Sequence, residues 1–197
     1  KLTAVVIFSV AEHAQLTELS LPKLNTVSNL NVTANTQLTT LSLPELITVS
    51  GALEVRINPQ IMTVLLPELT TVGSSLNIYN NDQLSTLSLP VLTMSGDLTV
   101  GYNDQLSTLS LPKLTTVNGE NIVVSHNDQL STLSLPKLNS SGGSMRVASN
   151  DQLTTLSLPE LTSFGGNLEV AGNGQLTTLS MPELTTIDDG LYIRSND

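Results

Sequence analysis

The sequence predicts an all-β fold, a parallel β-helix (solenoid) of about eight coils of roughly 23 residues, with little or no α-helix. Three observations lead to this prediction: prolines recur at intervals of 22 to 24 residues, asparagines recur in step with them, and short apolar clusters fill every interval. Because the pattern runs through the chain, we expect a single repeat domain over 1–197.

The prolines define the repeating unit. One unit reads NDQLSTLSLPVLTMSGDLTV (81–100), and the next returns as NDQLSTLSLPKLTTVNGENIVV (103–124). Each unit carries one apolar cluster before the proline, one after it and one after the glycine. Each cluster is expected to supply one inward side of a coil. The prolines in this series are Pro22, Pro44, Pro67, Pro90, Pro112, Pro136, Pro159 and Pro182.

Two stretches of each unit alternate with period two and predict short strands: Leu-Ser-Leu before the proline, and Leu-x-Val after the glycine. Strands this short cannot bury an apolar face alone. Stacked coils would pair each strand with its counterparts above and below, about 4.7 to 4.9 Å away. The recurrent Pro, Gly, Ser and Thr leave no segment for an amphipathic helix.

The asparagines are expected at coil corners, where Asn tolerates the left-handed conformation and hydrogen-bonds neighbouring backbone groups. An internal ladder is the predicted role, and metal binding is the alternative, because aspartates such as Asp82, Asp104, Asp128 and Asp151 directly follow the asparagines. One Asp per coil does not supply the converging oxygens that calcium needs, so no metal site is predicted. The series comprises Asn35, Asn58, Asn81, Asn103, Asn127, Asn150, Asn173 and Asn196, with His13 at the equivalent place in the first coil.

Composition argues against several classes of function. The formal charge of −10 and only seven Lys and Arg disfavour nucleic acid and anionic membranes as partners. The longest apolar run, 4–10, is too short to insert into a membrane. With no Cys and two histidines about five coils apart, no nucleophile–base pair is evident, so neither catalysis nor a cofactor is expected.

The motif L-x-L-P-x-L followed by G-x-L-x-V resembles the receptor L-domain family, the leucine-rich ligand-binding domains of insulin-type and EGF-type receptors and similar fungal and bacterial surface proteins. The resemblance covers nearly the whole chain. It implies a right-handed β-helix and a secreted or cell-surface, non-enzymatic protein with a structural, adhesive or ligand-binding role. The receptor members' cysteines, capping helices and aromatic contact residues are missing here.

One outer face is nearly invariant between units and is called the Thr/Ser face below. It repeats Thr-x-Ser on the strand before each proline and resembles the Thr-x-Thr arrays of antifreeze solenoids. Ice binding is therefore an alternative function, and regular filling of a solenoid surface would give the same pattern. The residues of this face are Thr40, Ser42, Thr63, Thr86, Ser88, Thr108, Ser110, Thr132, Ser134, Thr155, Ser157, Thr178 and Ser180.

A second outer face varies freely and is called the variable face below. Its middle positions on the Leu-x-Val strands run Asn31, Glu54, Asn77, Thr99, Val123, Arg146, Glu169 and Tyr192. A protein or glycan partner is expected to contact this face, and ordinary solvent exposure is the alternative. The candidate ligand-contacting residues are Arg56, Tyr79, Arg146, Tyr192 and Arg194.

Two further expectations concern modification and assembly. Asn31 and Asn139 each begin an Asn-x-Ser/Thr sequon and are candidate glycan acceptors in a secretory pathway, although chance matches are expected in this composition. The sequence begins within a coil and stops where another coil should start. We therefore expect either a longer parent chain or coils that stack end to end between molecules.

Overall fold

The computed structural model describes residues 2–196, which form 22 β-strands and no helix. The strands are parallel and stack as a β-solenoid of about eight turns, which confirms the all-β solenoid prediction. Within residues 2–196, no helix is present that could cross a membrane.

The strands before the prolines form one side of the solenoid. Each is three residues long because the proline that follows cannot donate a ladder hydrogen bond. These strands are β2 (Glu18–Ser20), β4 (Thr40–Ser42), β7 (Thr63–Leu65), β9 (Thr86–Ser88), β11 (Thr108–Ser110), β14 (Thr132–Ser134), β17 (Thr155–Ser157) and β20 (Thr178–Ser180).

The other two sides belong to one 14-stranded sheet. After the prolines come the two-residue strands β5 (Thr48–Val49), β12 (Thr116–Val117), β15 (Ser140–Ser141), β18 (Ser163–Phe164) and β21 (Thr186–Ile187). On the Leu-x-Val side lie β6 (Leu53–Arg56), β13 (Asn121–Ser125), β16 (Ser144–Ala148), β19 (Leu168–Ala171) and β22 (Leu191–Arg194). Four longer strands span both sides: β1 (Ala4–Ala11), β3 (Thr26–Thr33), β8 (Thr71–Tyr79) and β10 (Met94–Gly101).

The core is a continuous stack of the inward apolar residues. In the coil that starts at Asn103, the buried set comprises Leu106, Leu109, Leu111, Leu114, Val117, Ile122 and Val124. All three apolar clusters of the unit thus point inward, as predicted. Removing one such leucine side chain is expected to cost about 2–5 kcal/mol of stability.

The corner asparagines form the predicted ladder. Asn127 is fully buried; its Nδ2 donates to the carbonyl oxygen of Val100 in the previous coil (3.1 Å) and to Oδ1 of Asn150 in the next (3.1 Å). Its Oδ1 accepts from the backbone N–H of Asn103 (3.2 Å). Because these amides satisfy backbone groups that would otherwise be buried and unpaired, the ladder fixes the register of successive coils.

The prediction that the asparagines themselves adopt the left-handed conformation was wrong, because that conformation lies one residue earlier. The residue before each ladder position has the positive φ, including Ile57 (56°) and Tyr102 (53°). This left-handed turn comes directly before each asparagine, whose side chain is then the one buried in the ladder.

The glycine corner differs in length between coils. Two residues separate the inward Ser95 and Leu98, whereas four separate Val117 and Ile122 in the next coil. The Asp97 carboxylate joins the two corners, because its Oδ1 accepts the N–H groups of residues 120 (2.7 Å) and 121 (2.9 Å). A Cβ on residue 96 would lie 1.7 Å from a backbone oxygen of the coil below, so only glycine fits there.

Candidate functional site

The Thr/Ser face lies on the strands before the prolines, with equivalent residues in register from coil to coil. Thr108 pairs with Thr132, and Ser110 pairs with Ser134. The central leucine of each strand is buried while the flanking hydroxyl residues are exposed or half-buried. Where these strands pair, successive hydroxyls therefore follow one another at the strand spacing, about 4.7 to 4.9 Å.

The hydroxyls of the Thr/Ser face are free to bind an external partner. Within residues 2–196, none of them takes part in a hydrogen bond to another protein group. Neighbouring hydroxyl columns behave differently, because their oxygens donate to carbonyl groups of the previous coil. One such column includes Thr39, bonded to Thr17 at 2.9 Å, and another includes Thr70, bonded to Ile47 at 3.0 Å.

These bonded columns were not predicted from the sequence. The second one contains Thr70, Thr93, Thr115, Thr162 and Thr185, each of which donates to the carbonyl of the equivalent residue one coil earlier. The recurring Thr-Thr after the proline was the available signal. The threonines after the proline bond adjacent coils to each other, whereas the threonines of the Thr/Ser face form no such bond.

The Thr/Ser face is not one continuous sheet. Strands β2, β4, β7 and β9 form one four-stranded sheet and β11, β14, β17 and β20 another. Across most neighbouring coils the leucine before the proline donates its N–H to the serine carbonyl of the next coil, as Leu111 does to Ser134 (3.0 Å). In the described part of the chain, the equivalent bond is missing from Leu89 to Ser110 and from Leu135 to Ser157.

Two shallow depressions lie at these two places. The first, between β9 and β11, is lined by Thr86, Leu87, Ser88, Pro90, Ser110 and Pro112. The second, between β14 and β17, is lined by Thr132, Leu133, Ser134, Pro136, Ser157 and Pro159. The central leucines here are 9% and 4% exposed, whereas the intervening Leu109 is fully buried. Each depression thus has an apolar floor and a rim of hydroxyls.

Charge lies along the edges of the Thr/Ser face. Past the prolines, Lys23 pairs with Glu45 and Lys137 with Glu160 across adjacent coils. On the other edge, four successive coils each carry one aspartate directly after the ladder asparagine: Asp82, Asp104, Asp128 and Asp151. Burial raises the pKa of Asp104 above its ordinary value, and the carboxylates of Asp128 and Asp82 in the adjacent coils raise it further.

The structure joins the candidate residues of the variable face into two clusters. In the first, Nη1 of Arg56 donates to the Tyr79 hydroxyl (3.0 Å), and Nε lies 3.3 Å from Oε2 of Glu54. In the second, Arg146 and Arg194 both donate to the carboxylate of Glu169 from adjacent coils.

Glu169 was not predicted as the centre of the second cluster, although it stands in the variable column. Tyr192 pairs in register with Glu169. The Arg194 hydrogen bond lowers the pKa of Glu169 below its ordinary value, partial desolvation opposes this, and the bond from Arg146 lowers it further. Both arginines of the second cluster are therefore ion-paired to this one glutamate.

The sequons lie at different depths. Asn31 is half-buried on β3, and its Oδ1 accepts the hydroxyl hydrogen of Thr33, whereas Asn139 is exposed directly before β15. Of the two, Asn139 is the more accessible glycan acceptor.

No group of three or more residues able to ligate a metal occurs within residues 2–196. The two histidines have separate positions. His13 stands at the start of the asparagine ladder and donates its backbone N–H to Asn35 Oδ1 (3.1 Å). The His126 ring stacks on Tyr102, with the centroids 4.4 Å apart and the planes 4° from parallel.

Comparison with protein-family models, with characterised proteins and with solved structures finds no match to this chain. The structure defines the chain as a parallel β-solenoid, and the resemblance to receptor L domains stays a prediction.

Proposed function

We propose that the chain is a non-enzymatic, secreted or cell-surface module that binds an extended, uncharged partner through the Thr/Ser face. The observation that carries the proposal is the set of hydroxyls that are in register, outward and free of protein hydrogen bonds. A ligand that runs along the solenoid meets the same groups at every coil. Many weak contacts then act together, and no single residue decides binding.

The charges of the variable face are a weaker basis for recognition. Its second cluster already neutralises Glu169, and the Arg56 guanidinium is held by Tyr79 and Glu54. A partner would have to break these pairs before it used them. A partner that binds the free hydroxyls of the Thr/Ser face does not have to break any protein hydrogen bond or ion pair first.

A matched set of lysine substitutions tests the proposal. Thr108→Lys with Thr132→Lys places two charges on the Thr/Ser face, and Thr99→Lys with Val123→Lys places two on the variable face. Purified wild-type and variant proteins are applied to an array of neutral and charged glycans and to a panel of extracellular matrix proteins. We expect the first pair to lose binding and the second to retain it. Equal loss in both pairs, or binding only of charged probes, would refute the proposal.

Ice is the second candidate partner. Strands β11, β14, β17 and β20 repeat Thr-x-Ser without interruption, whereas Leu65 and Glu18 interrupt the other sheet. Hydroxyls about 4.7 to 4.9 Å apart between coils and about 6.6 Å apart along a strand form a regular lattice for ordered water.

Thermal hysteresis and ice-crystal shaping test this candidate with the same variants. Faceted crystals that revert to discs with Thr108→Lys and Thr132→Lys, but not with the variable-face pair, would support ice binding. Unshaped crystals from the folded wild-type protein would eliminate it.

A further inference from the structure

We infer that the two depressions of the Thr/Ser face are subsites for a neutral, linear β-1,4-linked glycan lying along the solenoid axis. This inference rests on the proposed function and names the chemical class of its ligand. Four features of the depressions lead to it: unpaired backbone groups, an apolar floor, the absence of charge and their spacing.

The unpaired backbone groups call for a ligand that both donates and accepts. At each depression the inter-coil bond from a leucine N–H to a serine carbonyl is missing, at Leu89 and Ser110 in one and at Leu135 and Ser157 in the other. A ligand that covers these groups must pair with them, because burying them unpaired costs free energy. A sugar hydroxyl satisfies a donor and an acceptor at once, as do the free side-chain hydroxyls beside them.

The floor and walls suit the faces of a sugar ring. Leu87 and Leu133 are the central leucines with measurable exposure among β4, β9, β11, β14 and β17, and proline rings flank each depression. Pyranose rings carry C–H groups on their faces and hydroxyls at their edges. An apolar floor inside a hydroxyl rim matches that distribution.

The distribution of charge around the depressions disfavours an ionic polymer as the ligand. No charged residue lines either depression, and the aspartates at one edge of the face would repel an anionic chain. A neutral glycan avoids this repulsion and needs no counter-charge.

The spacing selects the linkage. The depressions are two coil steps apart along the axis, about 9 to 10 Å. In an extended β-1,4-linked chain alternate sugars present the same face, and the disaccharide repeat is close to this separation. Sugars one and three would occupy equivalent positions in the two depressions. An α-1,4-linked chain coils and does not maintain this repeat.

Isothermal titration calorimetry with oligosaccharides of defined length tests the inference. We expect cellohexaose or chitohexaose to bind wild-type protein about tenfold or more tightly than its disaccharide, because two linked subsites act together. Ser110→Lys blocks one depression and Ser157→Lys the other. Each should reduce the hexasaccharide affinity to that of the disaccharide, and both together should abolish binding.

Two controls make the test decisive. Thr99→Lys adds the same charge on the variable face, away from both depressions, and should leave affinity unchanged. Maltohexaose contains the same glucose units as cellohexaose but in α-1,4 linkage, and it should not bind. Circular dichroism verifies that each variant is folded.

The outcomes separate this inference from the proposed function. Affinity independent of chain length, equal binding of maltohexaose, or equal damage by Thr99→Lys would overturn the β-1,4-glycan assignment. If these oligosaccharides do not bind while another neutral ligand or ice still binds through the Thr/Ser face, only the assignment is lost. If no probe depends on that face, the proposed function is lost as well.

Discussion

Eight residues other than glycine hold the left-handed backbone conformation, one before each position of the asparagine ladder except the one where Gly172 stands. They range from Ala34 to the aromatic Tyr102. For a β-branched residue such as Ile57 this conformation costs about 1–2 kcal/mol. The asparagine that follows forms hydrogen bonds in the ladder, and these bonds offset the backbone strain of the residue before it.

Exchanging the residues at two equivalent corners should shift stability in opposite directions. Ile57 (φ 56°) and Asn80 (φ 54°) occupy the same position in successive coils, and both are exposed. Because Asn tolerates this conformation, Ile57→Asn should stabilise the protein by about 1 kcal/mol, and Asn80→Ile should destabilise it by a similar amount. Urea denaturation measures both. A loss of stability in Ile57→Asn would show that side-chain contacts outweigh backbone strain.

At the scale of the elements, short strands are held by what runs between coils: the asparagine ladder, the threonine hydroxyls bonded to the coil below, and ion pairs at the edges. In the aspartate column after the asparagines, the carboxylates of Asp82 and Asp128 repel that of Asp104 from the adjacent coils, and this repulsion opposes stacking. Like charges directly opposite in a sheet destabilise by roughly 0.2–1 kcal/mol.

Asp104→Asn should therefore stabilise the protein at neutral pH by about 0.5 kcal/mol. The raised pKa of Asp104 means that the folded state holds its proton more tightly than the unfolded state. Stability consequently falls as pH rises from the unfolded pKa through the folded one, and the advantage of the variant should vanish below the ordinary aspartate pKa of 3.8.

Glu169→Gln is the control of opposite sign, because the pKa of Glu169 is lowered in the folded state. This variant should be less stable than wild type above the unfolded pKa, and the difference should disappear as pH falls through the folded value. Denaturation midpoints measured between pH 2.5 and 7.5 test both variants. Parallel curves for wild type and Asp104→Asn would contradict the repulsion described here.

At the scale of the whole molecule, every strand pairs only with the equivalent strands of adjacent coils. Stability in such an array is approximately a sum over coils and their interfaces. The fold should therefore tolerate the loss of a complete coil far better than the loss of part of one.

Deletion of residues 127–149 removes 23 residues, one full coil, and places Asn150 where Asn127 stood. We expect a folded β-solenoid with a modestly lower melting temperature. Deletion of residues 127–137 should abolish cooperative unfolding, because it puts the following leucines and the asparagine ladder out of register. Circular dichroism melts compare the two. Equal damage by both deletions would contradict the coil-by-coil description.

Much of the architecture could be predicted from the sequence because it depends on periodicity, as the proline and asparagine series illustrate. The two depressions could not. Leu87, Leu109 and Leu133 lie in identical NDQLSTLSLP segments, yet they are 9%, 0% and 4% exposed. Local sequence cannot encode that difference, since it depends on how neighbouring coils meet.

The left-handed corners also gave no compositional signal. Residues as different as Glu12, Ile57 and His126 occupy them, so the type of residue at the corner does not indicate its conformation. Likewise, the variable positions could be identified from the sequence, but the pairing of Arg146 and Arg194 through Glu169 required the register of three coils.

The most direct test of the central claim, that the Thr/Ser face is the binding surface, uses the absence of cysteine from this chain. Thr132→Cys on that face and Val123→Cys on the variable face each introduce a unique thiol for a bulky polyethylene glycol label. Binding of the labelled proteins is then measured on the neutral-glycan array and by incorporation into slowly grown ice. We predict that the label at position 132 abolishes the binding shown by unlabelled protein and that the label at position 123 leaves it intact. Binding that survives the label at 132, or is lost with the label at 123, would contradict the assignment of function to the Thr/Ser face.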